Sequence, residues 1–571
     1  MKKLFCFLLT FVAVAANAAT QDMQNREALV RAELAKYEHR ILTYDASSLS
    51  EKDKNFLHRM LAAARIVEEI NMLQINPDNL KYAEEVGKSG SEDDKMLFHR
   101  NQGPWCLESD DLVCNALKSM PPKKIGWGFW PEGMDDKMLS EIEKQPDAEN
   151  LLSPFTYVAR EGGIFKAVPF ASQSLISDQM ERLAVELKEA TKFTDEPTLK
   201  KFLNSRAKAF EAKSAFPYDA SDFNWIALKG PWEVTVGPYE TYKEPMKKKA
   251  QFEMYVAREN PEVSGQLSLY KKNLQEFEEH FAGFIGKDLY KAKKLDSRIQ
   301  IRAVELIKAA GDGRSPHGAT VAYHLPNRGK SVEEGLYKKV MLLNHMRLFT
   351  PLMQKRAQVA LAKEQVSYVD EWADIMNTTF HEFAHGFGTH EELQIVVNGE
   401  KTTVGKALGP IETLMEELKA DVASLWFIPY LVEKGLMQKD EVEKRYTTAV
   451  MHLFGLLQYS LKGTYPQMAA VEVGNMMEKG ALSFDPKTAR FTINFEKMPD
   501  AINGLMKKIV TIQVTGDKKS AEALRDQYVE KVAEEKFEFQ PLLKEPLVRL
   551  KAAFDKAKLK SFAIDYEVKG L

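Results

Sequence analysis

Val369-Asp-Glu-Trp-Ala-Asp-Ile-Met-Asn-Thr-Thr-Phe380 runs straight into His381-Glu382-Phe383-Ala384-His385, and the fold follows from how this stretch is read. Its spacing predicts a helix. His381 and His385, at i and i+4, then share one face, close enough for both imidazoles to reach a single ion. Zinc suits such a pair, because neutral imidazole is a good borderline ligand. Glu382 stands beside that ion and not on it, where a base can take a proton from an activated water. Gly386 and Gly388 end the helix and let the chain approach closely. With eleven His in the chain, chance would give about 0.015 such matches.

A catalytic zinc site needs a third protein ligand and an open fourth position. Downstream lies Glu412-Thr-Leu-Met-Glu416-Glu417-Leu-Lys-Ala-Asp421-Val-Ala-Ser-Leu-Trp426, a second helical pattern. Glu417 is the candidate ligand. Asp421, one turn later, can accept the other ring N–H of a ligand His and fix its tautomer. Glu416 points about 100° away on an ideal helix.

Working outward, Ser50-Glu-Lys-Asp53 reads as a capping box, followed by Phe56, Met60, Ala63, Ile66, Val67 and Ile70 at helical spacing. Strand-like segments are few: Phe165–Phe170, Trp232–Tyr242, a hairpin about Asn398-Gly399, and Ala489–Phe495. Helix dominates after Gln251. Trp127, Phe129 and Trp130 read as core and loop anchors, since no basic residue interleaves with them as a nucleic-acid stacking surface would require. Lys247-Lys248-Lys249 reads as a solvated turn.

The 571 residues are 44% hydrophobic and 28% charged, with a net charge of -3. This excludes a disordered chain and gives no global attraction for nucleic acid or an anionic membrane. Lys2 and Lys3, the apolar run Leu4–Ala15 and Ala16-Asn17-Ala18 form a secretory signal peptide, with cleavage expected after Ala18. The protein is expected in the periplasm or beyond, with no membrane attachment after cleavage. Cys106 and Cys114 would then meet oxidising conditions; their spacing fits a disulfide or two free thiols near Trp105.

Six stretches together resemble the dipeptidyl-peptidase III family of zinc exopeptidases, in particular its shorter branch, fused in plants to a Nudix domain. They are Asn101-Gln-Gly-Pro-Trp105, Ser153-Pro-Phe-Thr-Tyr157, Val234-Thr-Val-Gly-Pro-Tyr-Glu-Thr-Tyr242, Tyr323-His-Leu-Pro-Asn327, His381-Glu-Phe-Ala-His-Gly386 and Glu416-Glu-Leu-Lys-Ala-Asp421. The resemblance implies a mainly helical α+β protein with a small β-barrel, in two lobes separated by a wide cleft. After the signal peptide at 1–18, residues 19–250 would form the lower lobe, completed by about 316–345 and 536–571. Residues 251–535 would form the helical zinc lobe.

The resemblance also implies residue roles. His381, His385 and Glu417 would hold one Zn2+, Glu382 would be the general base and acid, and Asp421 would orient a ligand. Glu233, His324 and Asn327 would bind the free amino end of a peptide. The chain departs from the family at three points. His324 stands where an Asn is usual. Thr235 stands where a carbonyl-polarising Tyr is usual, leaving Tyr239 and Tyr242 as nearby substitutes. The late transition-state His is missing between Leu456 and Gly463, leaving His452 as the candidate. The expected function is a zinc-dependent peptidase that acts on short peptides and releases N-terminal dipeptides. The rivals are a zinc endopeptidase and an inactive peptide-binding protein on the same scaffold. Oligomeric state is not legible in the sequence.

Overall fold

The Ser50 hydroxyl accepts from the Asp53 amide and starts α1 (Glu51–Ile75), whose Phe56, Met60, Ala63, Val67 and Ile70 are buried. The computed structural model describes residues 25–571 except 107–113, 118–119, 121–122, 242, 315–319 and 534–535. The signal-peptide segment Met1–Ala18 and the candidate Tyr242 lie outside the described residues. Cys106 and Cys114 are joined in a disulfide. No described helix is long and apolar enough to cross a membrane.

The chain is mainly helical. Strand β1 (Glu38–Asp45) pairs in parallel with the C-terminal strand Phe562–Lys569, so the two ends of the described chain are zipped together. β2 (Thr156–Glu161) and β3 (Ile164–Pro169) form a hairpin about Gly162-Gly163, both at positive φ. The main sheet has five strands: β4 (Trp232–Pro238), β5 (Phe252–Glu259), β6 (Gln300–Gly311), β7 (Ala322–Leu325) and β8 (Lys338–Leu342), in the order β4-β5-β6-β8-β7. The β6–β8 pair is parallel and the others antiparallel. This is a curled half-barrel, with β4 and β7 as its edges.

β5, β6 and β8 escape a reading by periodicity. β8 is buried at every position and β5 and β6 at most, so polar and apolar residues do not alternate along them. The hairpin of β9 (Gln394–Val397) and β10 (Glu400–Thr403) turns at Asn398-Gly399, both at positive φ as a type I′ turn requires. Lys249 corrects the solvated-turn reading of its run. It is fully buried, and its amine donates to Leu151 O, Ser153 O and Thr156 Oγ1.

Two large apolar cores organise the molecule. The first gathers α1, α2 (Ser177–Ala190), α3 (Pro197–Glu211) and the inner side of the sheet. The second gathers α4 (Leu343–Ala360), α5 (Glu371–His385), α6 (Glu412–Trp426), α7 (Glu441–Leu456), α8 (Thr464–Glu478) and α9 (Met498–Thr515). Residues 252–257 and 304–310 side with the first core, and Leu543 to Phe554 with the second. α5 also packs against β7 and β8, which brings the sheet to the end of the histidine helix.

Candidate functional site

Asp370 caps α5 by accepting from the Ala373 amide, and the helix runs unbroken to His385. One turn apart, His381 and His385 bring their Nε2 atoms to 3.2 Å. Glu417 Oε2 on α6 lies 3.4 Å from His381 Nε2 and 3.8 Å from His385 Nε2. Both rings are held at their other edge. His381 Nδ1 donates to Asp421 Oδ1 at 3.0 Å, and His385 Nδ1 to Glu416 Oε1 at 2.9 Å. With Nδ1 protonated, each Nε2 presents a lone pair. Two lone pairs and a carboxylate oxygen thus face one another, and Glu417 Oε2 is buried without a hydrogen-bond donor among the described residues.

Such a trio repels itself unless a cation sits between its members. Among the described residues, His381, His385 and Glu417 are the group whose donor atoms converge within 4.8 Å as a metal requires. Electrostatics point the same way. Burial opposes a charge on His381, yet Asp421 and Glu417 outweigh it and hold the imidazole well above its usual pKa. Burial would also raise Glu416, but Lys419 and His385 bring its carboxyl down to about 2. The donor set, two imidazoles and one carboxylate, fits zinc.

Glu416 corrects the expectation that it points away. It receives His385 Nδ1 and pairs with Lys419, whose amine also donates to Phe387 O and Thr389 O. The packing of α5 on α6 sets His381 against Asp421 and His385 against Glu416, so the two histidines draw on different rows of one helix.

Glu382 is 8% exposed, and its Oε2 meets no donor among the described residues. Its backbone carbonyl accepts from Lys339 Nζ on β8, and His324 on β7 sits beside the same carbonyl. Lys339 Nζ also reaches His324 Nδ1 at 2.5 Å. Burial, then the nearby Lys339, keeps His324 well below its usual pKa, so the ring stays neutral. It stacks near Tyr337 and holds the end of α5.

Glu233 was expected at a peptide's amino end, but the sheet commits it elsewhere. It is fully buried, with Lys338 Nζ at 2.9 and 3.0 Å and Arg302 Nη1 at 3.0 Å. Seven residues along the chain, Glu240 stands beside the site. Asn327 Nδ2 donates to both its oxygens at 3.0 and 3.1 Å, and Glu417 lies near enough to act on its charge. Burial lifts the Glu240 carboxyl to about 7.

Tyr239 is 4% exposed in the first core, its hydroxyl taken by Arg206 Nη2 at 2.9 Å. Thr235 is buried against the Tyr323 hydroxyl. Burial lowers the pKa of His452 on α7, and Asp421 and His381 lie near enough to act on its charge. Reading by sequence missed Tyr465. At the start of α8, the residue is 45% exposed, and burial followed by the charges of Glu417, Glu382 and Glu240 holds its hydroxyl well above the usual tyrosine pKa. A search for a histidine in this region passes over a tyrosine.

Comparison with known proteins agrees. A profile of peptidase family M49 matches residues 170–295. Nudix hydrolase 3 of Arabidopsis thaliana is 27% identical over 564 residues, covering 89% of this chain and 71% of that protein. The structure of dipeptidyl-peptidase III from Caldithrix abyssi superposes with a TM-score of 0.81 at 28% identity, over 94% of this chain and 98% of the other. That from Corallococcus sp. strain EGB gives 0.80 at 26% identity, over 95% and 96%. Sequence motifs, overall fold and these likenesses converge in support of the dipeptidyl-peptidase III family, peptidase family M49, and of a metallopeptidase.

Proposed function

We propose that the protein is a zinc-dependent exopeptidase that releases dipeptides from the free N-termini of short peptides. The observation that carries the reading is the convergence of His381 Nε2, His385 Nε2 and Glu417 Oε2, with unpartnered Glu382 one residue from the first. When bound, zinc would supply Lewis acidity and a water that ionises near neutral pH. Glu382 takes the water's proton at its free Oε2 and returns it to the leaving amine. Tyr465 is the donor we assign to the developing oxyanion, in place of Tyr239 and His452.

Glu240 and Asn327 form the anchor we assign to the peptide's amino end, in place of Glu233. A peptide's α-amino group has a pKa of about 7.7–8.0 and is mostly cationic at neutral pH. Glu240 offers it a carboxylate, and Asn327, already bonded to both carboxylate oxygens, holds that carboxylate in place. An amine held at a fixed distance from the metal determines which carbonyl is cut. In this reading the two cores form two lobes, and the substrate lies in a cleft between the sheet and α5. The Met1–Ala18 segment and the Cys106–Cys114 disulfide support export to the periplasm or beyond.

A mixed peptide library, free and N-acetylated, tests the reading when incubated with the zinc-loaded protein and resolved by mass spectrometry. Dipeptides should appear from free peptides alone. Internal cuts in acetylated peptides would replace the reading with the endopeptidase, and absence of any cleavage would leave a binding protein.

A further inference from the structure

Behind the histidine pair, α8 buries a carboxyl that the proposed chemistry does not use. Glu472 is fully buried, and neither of its oxygens meets a hydrogen-bond donor among the described residues. Its neighbours along α8 are Ala470, Val471 and Val473, all buried. Its carboxyl lies within hydrogen-bonding range of one partner, the carboxyl of Asp421. Asp421 in turn holds His381 Nδ1 through Oδ1.

Two carboxyl groups in contact in an apolar pocket cannot both be ionised. The proton they share has a preferred owner. Asp421 has the His381 N–H and the nearby His452 to stabilise its negative charge, whereas Glu472 has no positive or donating neighbour. We propose that Glu472 is a positioning residue for the metal centre: a carboxylic acid that stays protonated, donates to Asp421, and so fixes the carboxylate that aims His381. Burial and then the Asp421 charge push its pKa well above the ordinary carboxyl range, in line with that role. Held from both sides, Asp421 keeps His381 in the tautomer whose Nε2 lone pair faces Glu417.

The inference rests on His381 being a metal ligand, and the test separates the two claims. Zinc affinity of the full-length protein is measured by competition with a chromophoric chelator, alongside the thermal melting of the metal-free form. Glu472→Gln keeps a donor toward Asp421 and should bind zinc within about twofold of the parent. Glu472→Leu removes the donor and should lose about tenfold or more, while melting no earlier than the parent because an acid has left an apolar pocket. Parent-minus-E472Q infrared spectra at neutral pH should show the C=O stretch of one protonated carboxyl. Unchanged zinc affinity in E472L, or no such band, overturns the proposal. If E472L does not fold, the infrared difference decides alone. If the parent binds no zinc, the metal-centre reading fails and the positioning role fails with it, while the band still reports whether Glu472 carries the proton.

Discussion

At the scale of single residues, position relative to the trio sorts the acids into different jobs. Glu382 lies beside the three converging atoms and is not one of them. Glu382→Ala should therefore keep about one metal per chain by elemental analysis and lose turnover by at least about 10²–10⁴-fold; loss of the metal would make Glu382 a ligand and end the mechanism above. Glu416 was expected to matter little, but its bond to His385 Nδ1 reverses that. Glu416→Ala should weaken zinc binding about 10–100-fold, with Glu417→Ala worse, both read by chelator competition. Glu240 carries a pH signature. Its carboxyl, lifted by burial to about 7, is neutral below that value. A substrate amine loses its charge above about 7.7–8.0. The KM for an unblocked peptide should be lowest between these limits and rise on either side. Glu240→Gln should raise KM and flatten the acid limb; an acid limb that survives the substitution would remove Glu240 from the anchor. His324, neutral by burial, contributes no such limb.

At the scale of elements, the sheet gives Glu233 ion partners of its own. Glu233 on β4, Arg302 on β6 and Lys338 on β8 form an ion cluster across three strands, with Glu259 of β5 on the other side of Arg302. Removing the charge of Glu233 leaves buried Lys338 without its anion and Arg302 with Glu259 alone. Glu233→Gln should lower stability by about 3–5 kcal/mol, seen as an earlier denaturant midpoint, with KM near the parent value in whatever stays folded. A selective rise in KM at unchanged stability would return Glu233 to the substrate. The end of α5 is equally constrained. Gly388 sits at φ +60, and a Cβ there would lie 2.3 Å from the Phe281 ring. Both the backbone and the contact oppose a side chain, so Gly388→Ala should cost about 1–3 kcal/mol or more, measurable as a drop in Tm.

At the scale of the whole molecule, the site stands where the two cores meet. α5 belongs to the helical core, while its last turn is held by Lys339 and His324 from the sheet. The trio thus depends on elements of both cores. The Cys106–Cys114 disulfide adjoins Trp105, which packs in a small cluster with Leu97 and Phe98. Cys106→Ser should lower stability by about 2–3 kcal/mol by loop entropy and leave zinc affinity unchanged. A change in zinc affinity would mean that this corner communicates with the site.

The sequence by itself determined what depends on neighbours a few residues apart. The α5 histidines, the Ser50 cap, the Asn398-Gly399 turn and the one-turn relation of Glu417 to Asp421 are set by helical and turn periodicity, which a linear chain displays. It did not determine which acids face the trio. Glu233 and Glu240 stand on one stretch of chain, and only the ion partners supplied by β6 and β8 commit the first to the sheet and leave the second beside the site. Glu416, Tyr465 and Glu472 likewise acquire their places when α6 and α8 pack on α5. β5, β6 and β8, largely buried, show no alternation to read. Those contacts join residues tens to hundreds of positions apart, and packing and strand register are the physical terms that bring them together.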